Sequence, residues 1–256
     1  MPVQIDGRLA TPRVALVTGG AAGLAQGICL ALARTGYRVA FTFRTGGTPP
    51  DATLDLLRPF DPEAIAVGED VTQAAGALRA VEEVARRRGD VEVLVHAVGP
   101  IVVKSFEQSG LDDYSRMIEG NLGSAVALAA ATLPGMRARG FGRLVFFGMN
   151  GSHATQPARS MSLYGAAKAG VVTFARALAL EEAHYGVTVN VIEPGDIRDK
   201  SADRRTARTR PAGNPTGHPG SWEDIAAAVS FAIADEAFYL NGMVVSVNGG
   251  LVEPHE

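Results

Sequence analysis

Short apolar runs of strand length alternate with longer helical patterns along almost the whole 256-residue chain. Such an alternation is typical of βαβ units and predicts a parallel sheet, that is, an α/β fold. The apolar runs predict strands at residues 13–18, 37–43, 65–68, 91–96, 143–147, 187–192 and 243–247. The patterns between them predict helices at residues 23–35, 51–57, 74–88, 111–139, from about Tyr164 to 184, and 222–235.

Two segments depart from this alternation. The long helical region 111–139 is predicted to break or end around Pro134-Gly135, because proline lacks the N–H that continues a helix. Residues 199–220 contain three prolines, three glycines and four arginines without apolar periodicity, which predicts a mobile substrate lid. We find no internal repeat, linker or second core, so we expect a single domain over residues 1–256.

The composition narrows the classes of function. A hydrophobic content of 46% and a charged content of 20% suit one large core, and a net charge of -3 gives no reason to expect nucleic acid or a membrane surface as a partner. The single cysteine, Cys29, excludes an intrachain disulfide and a thiolate zinc site, so we propose no metal. Residues 1–13 lack the apolar core of a signal peptide and no segment approaches the ~20 apolar residues of a membrane span, which predicts a cytoplasmic protein.

Tyr164 and Lys168 are the most informative candidate pair for chemistry. Their four-residue spacing on a helix places a phenol and an ammonium group side by side. A phenol titrates near pH ~10, and an adjacent cation is expected to pull its pKa toward neutrality. Lysine is scarce in this chain, which has only Lys104, Lys168 and Lys200. The pair alone is also compatible with an ordinary solvated helix face, so its context decides.

A small-residue turn, Thr18 to Ala25, follows the first predicted strand and leads into the first helix. Its glycines let the backbone approach phosphate groups, and the free N–H groups of the helix start favour negative charge. The second strand ends in Thr42-Phe43-Arg44-Thr45, without the carboxylate that would bind the ribose hydroxyls of NAD. A guanidinium beside a hydroxyl instead suits a 2′-phosphate, so Arg44 and Thr45 predict NADP(H) in preference to NAD(H), unless Arg44 is only an exposed loop residue.

Taken together, these motifs resemble those of the short-chain dehydrogenases/reductases, and among them the 3-oxoacyl-carrier-protein reductases. The resemblance spans nearly the whole chain. The family's phosphate turn, its adenine-side Asp-Val, its Asn-Asn-Ala-Gly, its helical asparagine, its Tyr-x-x-x-Lys and its Pro-Gly fall here on Thr18-Gly19 with Gly23, Asp70-Val71, His96-Ala97-Val98-Gly99, Asn121, Tyr164 with Lys168, and Pro194-Gly195. Ala25 replaces the last glycine of the turn, and only Gly99 is kept from Asn-Asn-Ala-Gly.

The resemblance implies a three-layer, doubly wound Rossmann-type sheet of about seven strands, a nicotinamide cofactor and a homodimer or homotetramer. It implies that Tyr164 donates the proton, that Lys168 binds the nicotinamide ribose and lowers the tyrosine pKa, and that the Asn121 backbone carbonyl holds a water for proton resupply. The residues that it places at the cofactor are Gly19, Ala21, Ala22, Gly23, Leu24, Arg44, Thr45, Asp70, Val71, Ala97, Gly99, Tyr164, Lys168, Pro194, Gly195 and Ile197.

The serine that binds the substrate oxygen in this family is missing or displaced. Counted from the fifth strand, the usual Ser-Ser pair falls on Gly148-Met149, and counted back from Tyr164 it falls on Gly151. The two counts disagree because this loop is about two residues longer than usual. We expect Ser152, or failing that Asn150, to polarise the substrate carbonyl, and both can equally be simple turn residues.

The expected function is NADPH-dependent reduction of a carbonyl, in a 3-oxoacyl thioester or another ketone, to a secondary alcohol. His96 resembles a feature of the enoyl-carrier-protein reductases, but those proteins place their tyrosine seven residues before the lysine, where this chain has Met161. The alternative from another class is a catalytically weakened NADP-binding sensor or scaffold. Basic residues of segment 199–220 would suit an anionic substrate such as an acyl thioester, and equally a solvated loop.

Overall fold

A computed structural model describes residues 12–251 as a seven-stranded sheet with helices on both faces. All strand pairs are parallel, and the order across the sheet is β3-β2-β1-β4-β5-β6-β7. The strands are β1 (Val14–Val17), β2 (Arg38–Phe43), β3 (Ile65–Gly68), β4 (Val93–His96), β5 (Gly142–Phe147), β6 (Val187–Pro194) and β7 (Val244–Val247). The three-layer, doubly wound architecture and the seven strands are therefore confirmed.

The helices are α1 (Gly23–Arg34), α2 (Asp51–Leu57), α3 (Ala74–Arg88), α4 (Leu111–Met117), α5 (Ser124–Arg139), α6 (Ser162–Glu182), α7 (Arg204–Ala207) and α8 (Trp222–Ile233). Successive strand residues point to opposite faces of the sheet, which creates two apolar cores. In β1, Val14 and Leu16 join the core under α3, α5 and α6, whereas Ala15 and Val17 join the core under α1 and α8.

The predicted break at Pro134 is wrong, because α5 continues through the proline to Arg139. The buried face of α5, which includes Leu133 and Met136, packs in the same core as α3, and this packing outweighs one missing backbone hydrogen bond. The long helical region is instead interrupted at Ile118–Gly123, where a π-helical turn separates α4 from α5. Such turns are frequent at functional sites, and this one contains Asn121.

The order of the strands creates a switch point between β1 and β4, where the chain turns from one side of the sheet to the other. In open α/β sheets, ligands bind in the crevice outside the carboxyl ends of the strands at such a point. The turn after β1 and the segment after β4 meet there, because the backbone N–H of Thr18 donates to the carbonyl of Val95. The crevice therefore lies among the motifs that the sequence places at the cofactor.

Segment 199–220 contains one short helix, α7, and lies against the start of α8. The Arg204 side chain contacts Asp224 at 2.7 Å, and Asp203 caps α7 by accepting from the backbone N–H of Thr206 at 2.8 Å. Arg198 and Arg210 pair with Asp196 and Asp199.

One helix corrects the expectation about membrane spans. By length and composition alone, 162–185 is long and apolar enough to cross a membrane. One face of α6, including Val171 and Ala175, is buried against the sheet, as in the core helix of a globular fold. The expectation that residues 1–13 lack a signal peptide concerns residues of which 1–11 lie outside the described part of the chain.

Candidate active site at the carboxyl ends of the strands

Tyr164 and Lys168 lie side by side on the first turns of α6, as their spacing predicts. The Lys168 ammonium nitrogen is 5.6 Å from the centroid of the Tyr164 ring and donates a hydrogen bond of 2.8 Å to the carbonyl oxygen of Phe147, at the end of β5. Lys168 is buried and Tyr164 is half-buried. The helix thus presents both groups at the carboxyl edge of the sheet.

The expected lowering of the tyrosine pKa is wrong for the protein without cofactor. Burial raises the pKa of Tyr164 to about 12, because an ionised phenol loses hydration there. Burial also lowers the pKa of Lys168 to about 8, and the charge of Lys200 adds to this effect. The phenol therefore keeps its proton at neutral pH and is a weaker acid than a free tyrosine.

Asn121 faces the same place from the π-helical turn. Its amide nitrogen donates to the carbonyl oxygens of Pro100 at 3.0 Å and Met117 at 2.9 Å, while its buried Oδ1 has no hydrogen-bond partner among residues 12–251. A Cβ added to Gly99 would lie 2.2 Å from this Oδ1 and 3.3 Å from the Lys168 nitrogen. Gly99, Asn121 and Lys168 therefore converge on one point beside Tyr164.

The turn after β1 is held open by contacts with the neighbouring strands. Gly19 has φ +73° and donates from its backbone N–H to Thr42 Oγ1, and a Cβ there would lie 2.8 Å from Val98. The first turn of α1 has no acidic residue and no side-chain cap, so its N–H groups are free for an anion. The close backbone packing and the free N–H groups fit the pyrophosphate of a dinucleotide.

A cavity of about 240 Å³ adjoins this turn on the side of β2 and β3. Arg44 lies exposed at its rim, and Thr45 Oγ1 approaches Gly68 from the same loop. Asp70 accepts from the backbone N–H and the hydroxyl of Thr72, which fixes the start of the loop after β3. The cavity lining includes several of the residues placed at the cofactor by resemblance, namely Gly19, Ala21, Ala22, Arg44, Asp70 and Val71.

On the other side of the crevice, Pro194 ends β6 and Gly195 pairs with β7 through its N–H to the carbonyl of Val247. A Cβ on Gly195 would lie 2.5 Å from the Cα of Asn248, so a larger residue would push the two segments apart. The backbone N–H of Ile197 donates to the carbonyl of Gly195 in a tight turn, and a Cβ added to Gly220 would lie 2.6 Å from Ile197 Cδ1.

Ser152 lies in the loop between β5 and α6 and is buried. Its hydroxyl donates to the Glu193 carboxylate at 2.6 Å, and its oxygen accepts from the backbone N–H of Met149 at 3.1 Å. Glu193 also accepts from the N–H groups of Gly151 and His153 and contacts His153 Nδ1 at 2.8 Å. The single hydroxyl proton of Ser152 is therefore directed to Glu193 in this arrangement.

Asn150 differs from Ser152 in its side-chain hydrogen-bond donors. Its side-chain oxygen accepts from Asn248 Nδ2 at 2.7 Å, which orients the amide. Its own side-chain N–H groups have no acceptor among the described residues. Asn150 thus keeps two amide donors that no described residue uses, whereas the hydroxyl proton of Ser152 is used.

His96 links the two halves of the crevice. Thr18 Oγ1 accepts from the N–H groups of Ala97 and Val98, so its own proton goes to His96 Nδ1 at 3.0 Å. His96 Nε2 then donates to Ser124 Oγ at 2.9 Å, and Ser124 donates to the carbonyl of Gly120. His96 therefore ends β4 with both ring nitrogens hydrogen-bonded, and these partners fix its neutral tautomer.

Glu193 is the residue of this region that the sequence interpretation missed. It is fully buried and organises the loop of Gly151, Ser152 and His153 through four hydrogen bonds. The available signal was a carboxylate directly before Pro194, at the end of a strand whose alternate residues Val187, Val189 and Val191 are apolar. A buried acid needs several donors, so such a residue predicts a nearby loop that supplies them.

A family model described as "Enoyl-(Acyl carrier protein) reductase" matches residues 19–252. The acetoacetyl-CoA reductase of Shinella zoogloeoides is 34% identical over 245 residues, covering 93% of this chain and 98% of that protein. The 3-oxoacyl-[acyl-carrier-protein] reductase FabG of Salmonella typhimurium is 31% identical over 244 residues, covering 93% and 97%.

Two solved structures extend the comparison. A Bacillus thuringiensis protein assigned as a 3-oxoacyl-reductase has a TM-score of 0.87 at 30% identity, covering 96% of this chain and 100% of its own. A blue fluorescent protein from a metagenomic library, solved in complex with NADPH, has a TM-score of 0.81 at 28% identity, covering 93% and 97%.

Proposed function

The chain belongs to the short-chain dehydrogenase/reductase family and is an oxidoreductase of that family, and on this premise we propose that it reduces a carbonyl to a secondary alcohol with NADPH. The substrate is a 3-oxoacyl thioester or a related ketone. The observation that carries this proposal is the convergence of Tyr164, Lys168 and Asn121 beside the glycine-lined crevice. The names of the relatives, which act on acetoacetyl-CoA and 3-oxoacyl groups, support the substrate class.

Each residue has a physical role in this reaction. A bound reduced nicotinamide supplies the hydride. Tyr164, which carries its proton at neutral pH, donates that proton to the substrate oxygen. Lys168, held by the Phe147 carbonyl, places positive charge next to the phenolate that remains. Asn121 holds a water at the π-helical turn, through which the proton is replaced.

The donor that replaces the missing serine is Asn150 or Ser152. The unused amide donors of Asn150 support Asn150, and the hydrogen bond from Ser152 to Glu193 supports a positioning role for Ser152. Loss of a carbonyl donor costs very roughly 10²-fold or more in rate. We therefore expect Asn150→Ala to lower kcat by about that factor, whereas an unchanged kcat in Asn150→Ala together with a loss in Ser152→Ala would reverse the assignment.

Reduction of a carbon-carbon double bond, the reaction in the description of the matching family model, is the second candidate. In enoyl reductases the tyrosine stands seven residues before the lysine, and here that residue is Met161, which has no acidic proton. The side chain four residues before Lys168 is instead a phenol, Tyr164. This spacing favours carbonyl reduction.

Preference for NADP(H) over NAD(H) is part of the proposal and rests on Arg44. Its guanidinium has no acidic partner within residues 12–251 and lies at the rim of the cavity beside the phosphate turn. We expect NADPH to bind more tightly than NADH in a fluorescence titration, and Arg44→Ala to remove most of the difference. Equal affinity of the wild-type protein for the two cofactors would refute the assignment.

The proposal includes a homotetramer or homodimer in the cytoplasm, a small-molecule substrate, and segment 199–220 as a mobile lid. The exposed basic side chain of Arg205 in the lid suits an anionic thioester substrate.

The test is NADPH consumption with a panel of ketones and 3-oxoacyl thioesters, in the wild type, in Tyr164→Phe and in the control Tyr239→Phe. Tyr239 is highly exposed, so its loss of a hydroxyl leaves activity unchanged. We expect Tyr164→Phe to bind NADPH normally and to lose nearly all turnover. A wild type that binds NADPH but reduces no carbonyl would favour a sensor or scaffold with this fold.

A further inference from the structure

Lys200 crosses the start of α1, although it belongs to the lid segment. A Cβ added to Gly23, the first residue of α1, would lie 3.3 Å from Lys200 Cβ and 3.8 Å from its Cδ. The aliphatic stem of the lysine therefore lies over the phosphate turn. Through this side chain the lid contacts the turn.

The charge around Lys200 is not balanced. Its positive charge lowers the pKa of Lys168, second to burial, so the two ammonium groups share one region of space. Within residues 12–251 Lys200 has no acidic partner, whereas three other cations of this region, Arg198, Arg204 and Arg210, are each paired with an aspartate. Lys200 is an exposed residue over the uncapped start of α1, and no acidic side chain within residues 12–251 pairs with it or with Lys168.

We propose that Lys200 binds the pyrophosphate of the dinucleotide against the start of α1 and thereby fastens segment 199–220 over the cofactor. The role differs from that of Arg44, because the pyrophosphate is common to NADP(H) and NAD(H). The inference rests on the cofactor site in the proposed function, and it is independent of the substrate.

Fluorescence titrations with NADPH and NADH test the contact in Lys200→Gln, Lys200→Arg and Arg208→Gln. Arg208 is an exposed lid cation without an acidic partner in the described chain, so its variant controls for the loss of one positive charge. A charge-assisted hydrogen bond to phosphate corresponds to an expected loss of about tenfold or more in affinity for both cofactors in Lys200→Gln. Lys200→Arg retains most of the affinity, and Arg208→Gln binds as the wild type does.

Limited trypsin digestion tests the fastening of the lid. Cleavage after Arg205 should slow when the wild type is saturated with NADPH. In Lys200→Gln it should not slow, at an NADPH concentration chosen from the Kd of that variant to give the same fractional saturation. Unchanged affinity in Lys200→Gln, a loss equal to that of Arg208→Gln, or a loss confined to NADPH would each overturn the inference while leaving the proposed function intact. A wild type that binds neither cofactor would overturn both.

Discussion

Replacing His96 with asparagine, the residue that the family motif has here, is predicted to make the protein less sensitive to acid. His96 is buried between Thr18 and Ser124, and both ring nitrogens are engaged in the neutral tautomer. Burial, together with the charge of Lys168, lowers the pKa of His96 to about 3 from an ordinary value of 6.5. Folding therefore requires a histidine without a proton.

The size of the pH effect on stability follows from the difference in proton binding by His96 between the unfolded and the folded protein. Below pH 6.5 His96 binds a proton in the unfolded chain, but in the folded protein it binds one only near pH 3. The unfolding free energy therefore falls as the pH falls from 6.5 to 3. Between pH 7 and pH 5 this single group costs about 2 kcal/mol of unfolding free energy. Asparagine cannot titrate, so this share of the acid sensitivity disappears with it.

The assay is urea unfolding at pH 7 and pH 5 for the wild type, His96→Asn and the control His184→Asn. His184 is exposed, so its removal leaves the pH difference near that of the wild type. Each variant is compared with itself at two pH values, so a change in its stability at pH 7 cancels. A pH difference in His96→Asn equal to that of the wild type would refute the reasoning.

Three further changes test other parts of the site. In the wild type, kcat/KM for NADPH should fall above about pH 8 because Lys168 loses its proton. In Lys168→Arg the guanidinium stays charged, so the pH-rate profile should not show this fall. A fall above about pH 8 that persists in Lys168→Arg would contradict the assignment. Glu193→Ala leaves several buried donors unpaired and should lower the unfolding free energy by roughly 3 kcal/mol or more in urea titration; a loss under about 1 kcal/mol would show that the loop does not depend on it. Gly99→Ala places a Cβ 2.2 Å from Asn121 Oδ1 and should weaken NADPH binding more than tenfold by fluorescence titration, whereas Gly110→Ala, which meets nothing nearby, should not.

The sequence allowed the fold and most element positions to be predicted, because strand and helix periods are strong local signals. The predicted helix 23–35 and the observed Gly23–Arg34 differ by one residue, and the strand at 65–68 coincides with β3. The prediction of a break at Pro134 is wrong because packing between α3 and α5 outweighs the local effect of proline. The motif residues meet at one edge of the sheet because parallel strands bring their carboxyl ends together.

The properties that the sequence could not predict depend on burial and on long-range contacts. Four-residue spacing predicts that Tyr164 and Lys168 are neighbours, but it does not predict how much water each loses, and that loss determines the direction of both pKa shifts. The hydrogen bond from Ser152 to Glu193 joins residues 41 positions apart, so no local pattern indicates it. The contact of Lys200 with the turn at Gly23 is hidden for the same reason.

The most direct test of carbonyl reduction through Tyr164 is a competition between two thioesters. The wild-type protein and Tyr164→Phe are incubated with NADPH and equal amounts of acetoacetyl and crotonyl thioester, and the products are separated by mass spectrometry. The account predicts that the wild type forms the 3-hydroxybutyryl thioester and that Tyr164→Phe forms at least about 10²-fold less of it. Formation of the saturated butyryl thioester, or equal 3-hydroxybutyryl formation by Tyr164→Phe, would contradict it.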